Sequence, residues 1–536
     1  MTAQPFDALD RRCLYGLVLL VALGHGLLAL NTGMYWDDYV ICDWLKEGNW
    51  ARFYEVGDTM GNLGYTYLYW PFRLFGDPCT ALKFAVLLCL LVTPCLVYLT
   101  VRESGLVDRF AAFFLAAAAV LYPGHMMTFA ANIAGHFFSY LGFALAAWCT
   151  VRSESRTGKW RYAYRGIAYA AFVVSYFMPS FLAFHFGFLL VLFLATGRDH
   201  PMRFAARQGD LLLLPFAYWA AHQWINPVHG WAKEWGYNEI RLDMDRMLPI
   251  YGNLLRVVAH SWLYYIEPFV ACVAILAGVI WLAQKIFPRW NVPRHAGGAR
   301  GAIVALALGA TWLVLAVFPY AAVGKGFGAP AIVDWSTRNQ LVLQLPLAIF
   351  VLGTASLLLD RWPQWRAAAL GSVLIFSIAI RIDTYLLWEA QAIKDESIRV
   401  NVARQAAKYH LLVFHDRYVI VDAGKYVNDI PLWWSYLLKH AFGDFTRFGL
   451  YERDAAHARS ARRYTADDVS RIWLRDRVHP PHFDPAAPQA GVIIDRGPAA
   501  GSYGLLMPYY LARIRGPEPL QRFLSGVTTL SIFERQ

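Results

Sequence analysis

Long apolar blocks, rather than amphipathic stripes, organise this chain. They fall near residues 13–30, 80–100, 109–122, 132–150, 165–178, 180–196, 210–226, 261–283, 301–320, 340–359 and 367–387. Apolar blocks of this kind read as bilayer-spanning helices, so the pattern predicts about eleven spans. Alternate connections carry the basic residues: Arg102 and Arg109; Arg152, Arg156, Lys159, Arg161 and Arg165; Arg198, Arg203 and Arg207; Lys285, Arg289, Arg294 and Arg300; Arg361 and Arg366. The positive-inside rule places those connections in the cytoplasm. The others are longer and richer in Trp and Tyr, and face the opposite side. The tightest connection is Tyr176 to Ser180, around Pro179. Merging its two spans would invert everything downstream, against the basic bias after Ala283.

Beyond about Leu387 apolar runs shorten to strand length and turn residues punctuate them. LLVFH, YVIVDAG, AGVIID and VTTLSIF read as strands, and Asp467 to Arg477 reads as a helix. The expected fold class is an α-helical polytopic membrane protein with a C-terminal extracytoplasmic α/β domain. A transmembrane module covers 1–387, with a long first external loop over 31–79, and the water-facing domain covers 388–536. No internal repeat marks the inverted halves of many transporters.

Composition narrows the class. Of 536 residues, 57% are apolar and 16% charged, against roughly 45–50% and 25% in soluble domains, which excludes an ordinary soluble enzyme. The mean hydropathy of only +0.35 is accounted for by the polar tail and the external loops. The net charge of +11 sits mostly in short connections, so it marks topology and excludes a nucleic-acid partner. Seven cysteines form no CxxC pair or Cys/His cluster, which argues against a structural zinc or thioredoxin-like site. Cys42 and Cys79 share the first external loop and are candidates for one disulfide in an oxidising compartment. Arg11 and Arg12 precede the first apolar block and read as the cytoplasmic flank of an uncleaved anchor. The expected location is the inner (plasma) membrane, multi-pass, with the N-terminus cytoplasmic.

Candidate chemistry lies in the external loops. The first opens MYWDDYVICDW, which puts Asp37 and Asp38 a few residues past the first span. One carboxylate of such a pair can take a proton from a nucleophile while the other orients it or binds a divalent cation. The plainer alternative is a helix end at the membrane surface. Tyr35, Trp36 and Tyr39 flank the acids, as an interfacial belt or as a platform for sugar rings. Asp43, Glu55 and Asp58 in the same loop read as solvated. The second external loop, YPGHMMTFAANIAGH, holds His125 and His136. His125 is a candidate for a metal or phosphate ligand, the alternative being a hydrogen-bonded structural histidine. In the loop before the tenth block, Arg338 offers a guanidinium suited to phosphate or a snorkelling anchor, and Lys325 stands in the GKGFGAP run. The mixed charges between Asn226 and His260 favour an amphipathic surface helix. Glu267, at the start of the eighth block, has no assigned role, and HPPHF in the tail reads as a rigid loop.

A long first external loop with an Asp pair just after the first helix, about eleven spans and an extracytoplasmic tail together resemble the GT-C superfamily of lipid-phosphate-dependent glycosyltransferases. That resemblance implies a polyprenyl-phosphate-sugar donor, an extracytoplasmic acceptor and a catalytic or metal-binding acid among Asp37 and Asp38. It also implies an Arg such as Arg338 near the donor's phosphate. The second loop departs from the family by carrying histidines where many members have an acid. The implied activity is an inverting hexosyl- or pentosyltransferase of the cell envelope. Asp37 would be the base and Asp38 its positioner or the ligand of a divalent metal (Mg, Mn or Zn), or the two exchanged, and Arg338, with Lys325 or His125, would bind the phosphate. Two alternatives are an O-antigen ligase or polymerase using diphosphate-linked glycans, and a lipid or solute transporter. The Asp pair weighs against the first. The absence of charged residues in mid-span and the large external domain weigh against the second.

Overall fold

The computed structural model describes residues 6–31, 33–35, 37–197, 200–234, 236–263, 274, 298–328, 335–408, 417–422, 437–438, 440–442, 448–452, 489–496 and 503–535. Six helical stretches are long and apolar enough to cross a membrane: Ala8–Ala29, Pro78–Ser104, Ala131–Glu154, Gly298–Ala322, Ser336–Leu359 and Trp365–Gln405. Arg109–Leu121 and Ser180–Thr196 are shorter apolar helices, and Gly158–Tyr176 and Gly209–Ile225 are helical too. This is the make-up of a multi-pass membrane protein. The eighth apolar block, with Glu267 and Cys272, lies almost entirely outside the described residues.

Local sequence sets the helix ends. Asp7 forms a capping box with Asp10. Asp77, followed by Pro78, caps Pro78–Ser104, and Gly105 ends that helix in the left-handed conformation. Asp108 caps Arg109–Leu121 through the Ala111 N–H. These are the caps that satisfy the unpaired amides of a first helical turn and the carbonyls of a last one. The first loop is itself helical, over Asp38–Lys46, Trp50–Thr59 and Leu63–Tyr67.

The chain divides into two compact units. The first takes in Met1–Ala29, Trp44–Thr128 and Ile133–Ile382, and the second Leu30–Asp43, Phe129–Asn132 and Asp383–Gln536. In the first, Gly298–Ala322 and Gln344–Leu359 pack backbone against backbone. A Cβ at Gly309 would stand 2.8 Å from the Phe350 nitrogen, and one at Gly353 2.8 Å from the Leu306 nitrogen. Small residues are what permit such approach where no hydrophobic effect drives helices together. Aromatic packing closes the neighbouring interfaces, with Phe184 lying 4.9 Å from both Phe143 and Trp312.

Ions inside this unit are paired at the helix ends. The Asp10 carboxylate, 1% exposed, accepts from the Tyr98 hydroxyl at 2.8 Å and Arg102 Nε at 3.2 Å, with Arg109 Nε at 3.4 Å. Arg109 also reaches Asp7 at 2.6 Å. Arg165 bridges Asp210 at 2.6 Å, and Arg152 meets Glu103 at 3.0 Å.

In the second unit the described strands are β1 Arg417–Asp422, β2 Phe448–Glu452, β3 Gln489–Arg496 and β4 Thr529–Arg535. They form one sheet in the order β2-β1-β3-β4. β1 runs parallel to β2 and β3, and β3 antiparallel to β4. β1, β3 and β4 fall in YVIVDAG, AGVIID and VTTLSIF; β2 lies in a stretch that sequence left unassigned. LLVFH, Asp467–Arg477 and HPPHF lie outside the described residues. Leu506–Arg515 and Pro517–Val527 pack on the later part of the Pro363–Lys408 helix around Ile393, Tyr509 and Leu524. Asn401 and Ser397 tie that helix to Thr528 at 3.0 Å and 2.8 Å.

Removing the acid from a buried ion pair strands its cation, at a cost of about 3–5 kcal/mol. Asp10→Asn is therefore expected to lower thermal stability in detergent far more than Arg11→Gln, whose side chain is exposed. Equal melting curves for the two variants would remove Asp10 from this role.

Candidate functional site

The two adjacent acids occupy opposite environments. Asp38 opens the Asp38–Lys46 helix and is fully buried. Its Oδ2 accepts the Tyr35 N–H at 3.1 Å and its Oδ1 the Asn132 N–H at 2.7 Å, so one carboxylate staples the first-loop entry to the second loop. Asp37 is exposed, and Asn132 Nδ2 stands 3.5 Å from its Oδ2. Consecutive residues at a helix start point in different directions, so only one of the two faces solvent.

Tyr35 and Tyr39 are buried in the second unit. The Tyr35 hydroxyl donates to the Trp388 carbonyl at 2.8 Å and accepts from Asn31 Nδ2 at 2.8 Å, and Asn31 also donates to Glu389 at 2.7 Å. Burial, then the Glu389 charge, hold the Tyr35 phenol well above its ordinary range, so it stays a neutral donor. Its ring packs edge-on to Phe129 at 4.7 Å and Trp388 at 5.1 Å. Tyr39 lies 5.8 Å from the His440 ring, whose Nε2 is 3.4 Å from Asp43. Asp43, expected to be solvated, is instead 5% exposed. Trp36 lies outside the described residues.

Each Asp38 oxygen already receives a backbone N–H, and among the described residues no group of three or more His, Cys, Asp or Glu could hold a metal ion.

In the first unit, the candidate cations come together. Lys325 Nζ donates to Asn238 Oδ1 and lies 4.8 Å from the Tyr237 ring centre. Burial, then the charge of Arg338, push its ammonium down to about 8. Arg338, half-buried in the Trp335–Leu343 3₁₀ segment, also lies within electrostatic reach of Tyr320 and His136. Asn339 Nδ2 donates to Gly326 O at 2.8 Å, and Gln340 Nε2 donates to Gly328 O. The glycine run is thus pinned to the segment that carries Arg338.

His125 is fully buried, and among the described residues neither ring nitrogen has a hydrogen-bond partner. Burial, then Arg381, hold its imidazole well below the ordinary value, so it stands there as a neutral ring, edge-on to Phe137 at 5.3 Å. Arg381 is the residue that sequence reasoning missed. The expectation of no charge in mid-span fails here: its guanidinium, 0% exposed, donates to the Tyr122 and His125 carbonyls, with Thr128 Oγ1 at 3.4 Å. Carbonyl acceptors make the buried charge tolerable. The signal was an Arg inside the last apolar block. Asn132 and Glu389 had no comparable signal.

No known protein family matches the chain, and no curated protein does. Among solved structures, it is similar to the crystal structure of ArnT from Cupriavidus metallidurans bound to undecaprenyl phosphate, at 14% sequence identity, over 90% of this chain and 92% of that chain, with a TM-score of 0.38.

Replacing Asp38 by Asn removes one of two buried acceptors and leaves an amide N–H unmet, at about 1–3 kcal/mol. Asp38→Asn should lower the melting temperature while Asp37→Asn leaves it near wild type. The reverse order in a thermal-unfolding series would refute the staple.

Proposed function

We propose that this protein is an inverting membrane glycosyltransferase that moves a sugar from a polyprenyl-phosphate carrier to an extracytoplasmic acceptor. The observation that carries the reading is the pairing of like charges at Lys325 and Arg338, close enough that one depresses the other. A buried ammonium such as Lys325, within electrostatic reach of a second cation, holds its charge at a cost, and a lipid phosphate beside it would offset that cost. The carrier explains why the protein is a membrane bundle, since the prenyl chain stays in lipid.

The Asp37 carboxylate takes the proton of an acceptor hydroxyl. The acceptor oxygen then forms a bond to the anomeric carbon from the face opposite the phosphate, while the bond from that carbon to the phosphate oxygen breaks. Polyprenyl phosphate leaves with one more negative charge than the donor carried there. In the first unit, Lys325 and Arg338 are the cations suited to a lipid phosphate. Asp38 does not react: with its oxygens on two backbone amides, it fixes the segment that presents Asp37. His125, as a neutral ring, contributes no cation. Tyr35 and Tyr39 brace the loop from within.

Asp37→Asn is expected to slow release of polyprenyl phosphate from a labelled lipid-linked sugar by roughly 10²–10⁴-fold, with donor binding kept. Wild-type release by that variant would sink the assignment of the base. Lys325 has its pKa lowered, so its charge is present below about 8 and lost above it. Affinity for polyprenyl phosphate should fall as pH rises through that value, and Lys325→Met should flatten the profile. A profile in wild type that is level from pH 7 to 9.5 would rule out Lys325 as the phosphate's cation.

A further inference from the structure

A chain of side-chain hydrogen bonds links Arg381 to the loop that carries Lys325. Arg381 holds the Tyr122 and His125 carbonyls. The Tyr122 hydroxyl donates to Gln340 Oε1 at 2.8 Å, and Gln340 Nε2 donates to the Gly328 carbonyl. Gln340 is fully buried, lies two residues past Arg338, and uses both ends of its amide. Gly124 is built around it: a Cβ there would stand 2.0 Å from Gln340 Oε1 and 2.5 Å from the Tyr122 ring.

Gly324, Gly326 and Gly328 leave the Lys325 loop with little stiffness of its own. Its position relative to Arg338 is therefore set by bonds from outside the loop: Asn238 holds the ammonium, and Asn339 and Gln340 tie Gly326 and Gly328 to the segment that carries Arg338. We infer that Gln340 is the positioning residue of the phosphate site, coupling the Tyr122–Thr128 loop to the Lys325 loop and holding Lys325 in register with Arg338. This rests on the reading of Lys325 and Arg338 as phosphate ligands. Gln340 does not touch the lipid; it acts through the carbonyl of Gly328, and Tyr122 acts through Gln340.

The test is binding of polyprenyl phosphate to the full chain in nanodiscs, as a function of pH, for wild type, Tyr122→Phe, Gln340→Met, their double variant and Gly124→Ala. Each single variant is expected to weaken binding roughly tenfold, the loss of about one buried hydrogen bond. The double variant should be no weaker than Gln340→Met, because both break one relay. The pH midpoint should also move upward from about 8, since a loosened loop carries Lys325 away from Arg338. The other groups about Lys325 are Tyr237, Asn238, His136 and Tyr320, together with Arg246 at Gly324. They are unchanged in every variant.

Lys325→Met separates the two ideas. If it binds as wild type does, the phosphate reading itself fails. If it loses binding while Tyr122→Phe and Gln340→Met keep both affinity and midpoint, Gln340 has no positioning role. Should Gln340→Met not fold, Tyr122→Phe decides alone, since it removes a single hydroxyl and leaves the ring in place.

Discussion

A guanidinium buried in an apolar bundle has to find oxygen acceptors, and in this protein Arg381 finds them on the backbone. Its donors go to the carbonyls of Tyr122 and His125, at the exit of the Arg109–Leu121 helix. A carbonyl just past a helix end has run out of intrahelical partners, and a buried charge needs acceptors, so each need meets the other. The loop thereby becomes a fixed object rather than a surface connection. Tyr122, Gly124 and His125 owe their places to it, and Gln340 closes on Tyr122 from another segment.

The same economy explains the acid pair. A buried carboxylate is unfavourable unless donors point at it. Asp38 receives the N–H groups of Tyr35 and Asn132, and joins two loops in doing so. Asp37, one residue earlier, stays exposed. The division separates a solvent-facing carboxylate from one committed to structure, though the two side chains are chemically identical. The surrounding aromatics follow suit: Tyr35 is consumed by hydrogen bonds to Trp388 and Asn31.

Electrostatics in the first unit is arranged in two ways. At the helix ends of Asp10, Arg102 and Arg109, and of Arg165 and Asp210, cations and anions are matched at 2.6–3.4 Å. At Lys325, a buried ammonium lies within electrostatic reach of a second cation, Arg338. Matched pairs hold helices together, whereas a concentration of one sign suits a ligand of the other.

Much of the helical scaffold was legible in sequence, because span length, capping aspartates and terminating glycines are local properties. Apolar blocks placed the described spans, and three of the four described strands fell in runs read as strands. The candidate residues Asp37, Asp38, Lys325 and Arg338 were visible as polar exceptions beside apolar blocks. Which aspartate is buried was decided by Asn132, 94 positions away. The weight of Arg381 was decided by carbonyls 256 and 259 positions away. The linear chain alone determined where helices begin, end and cross, since those depend on neighbours within a few residues. Tertiary structure alone decided which charges are solvated by backbone and which are paired with an opposite charge, since desolvation depends on what distant segments bring to the same place.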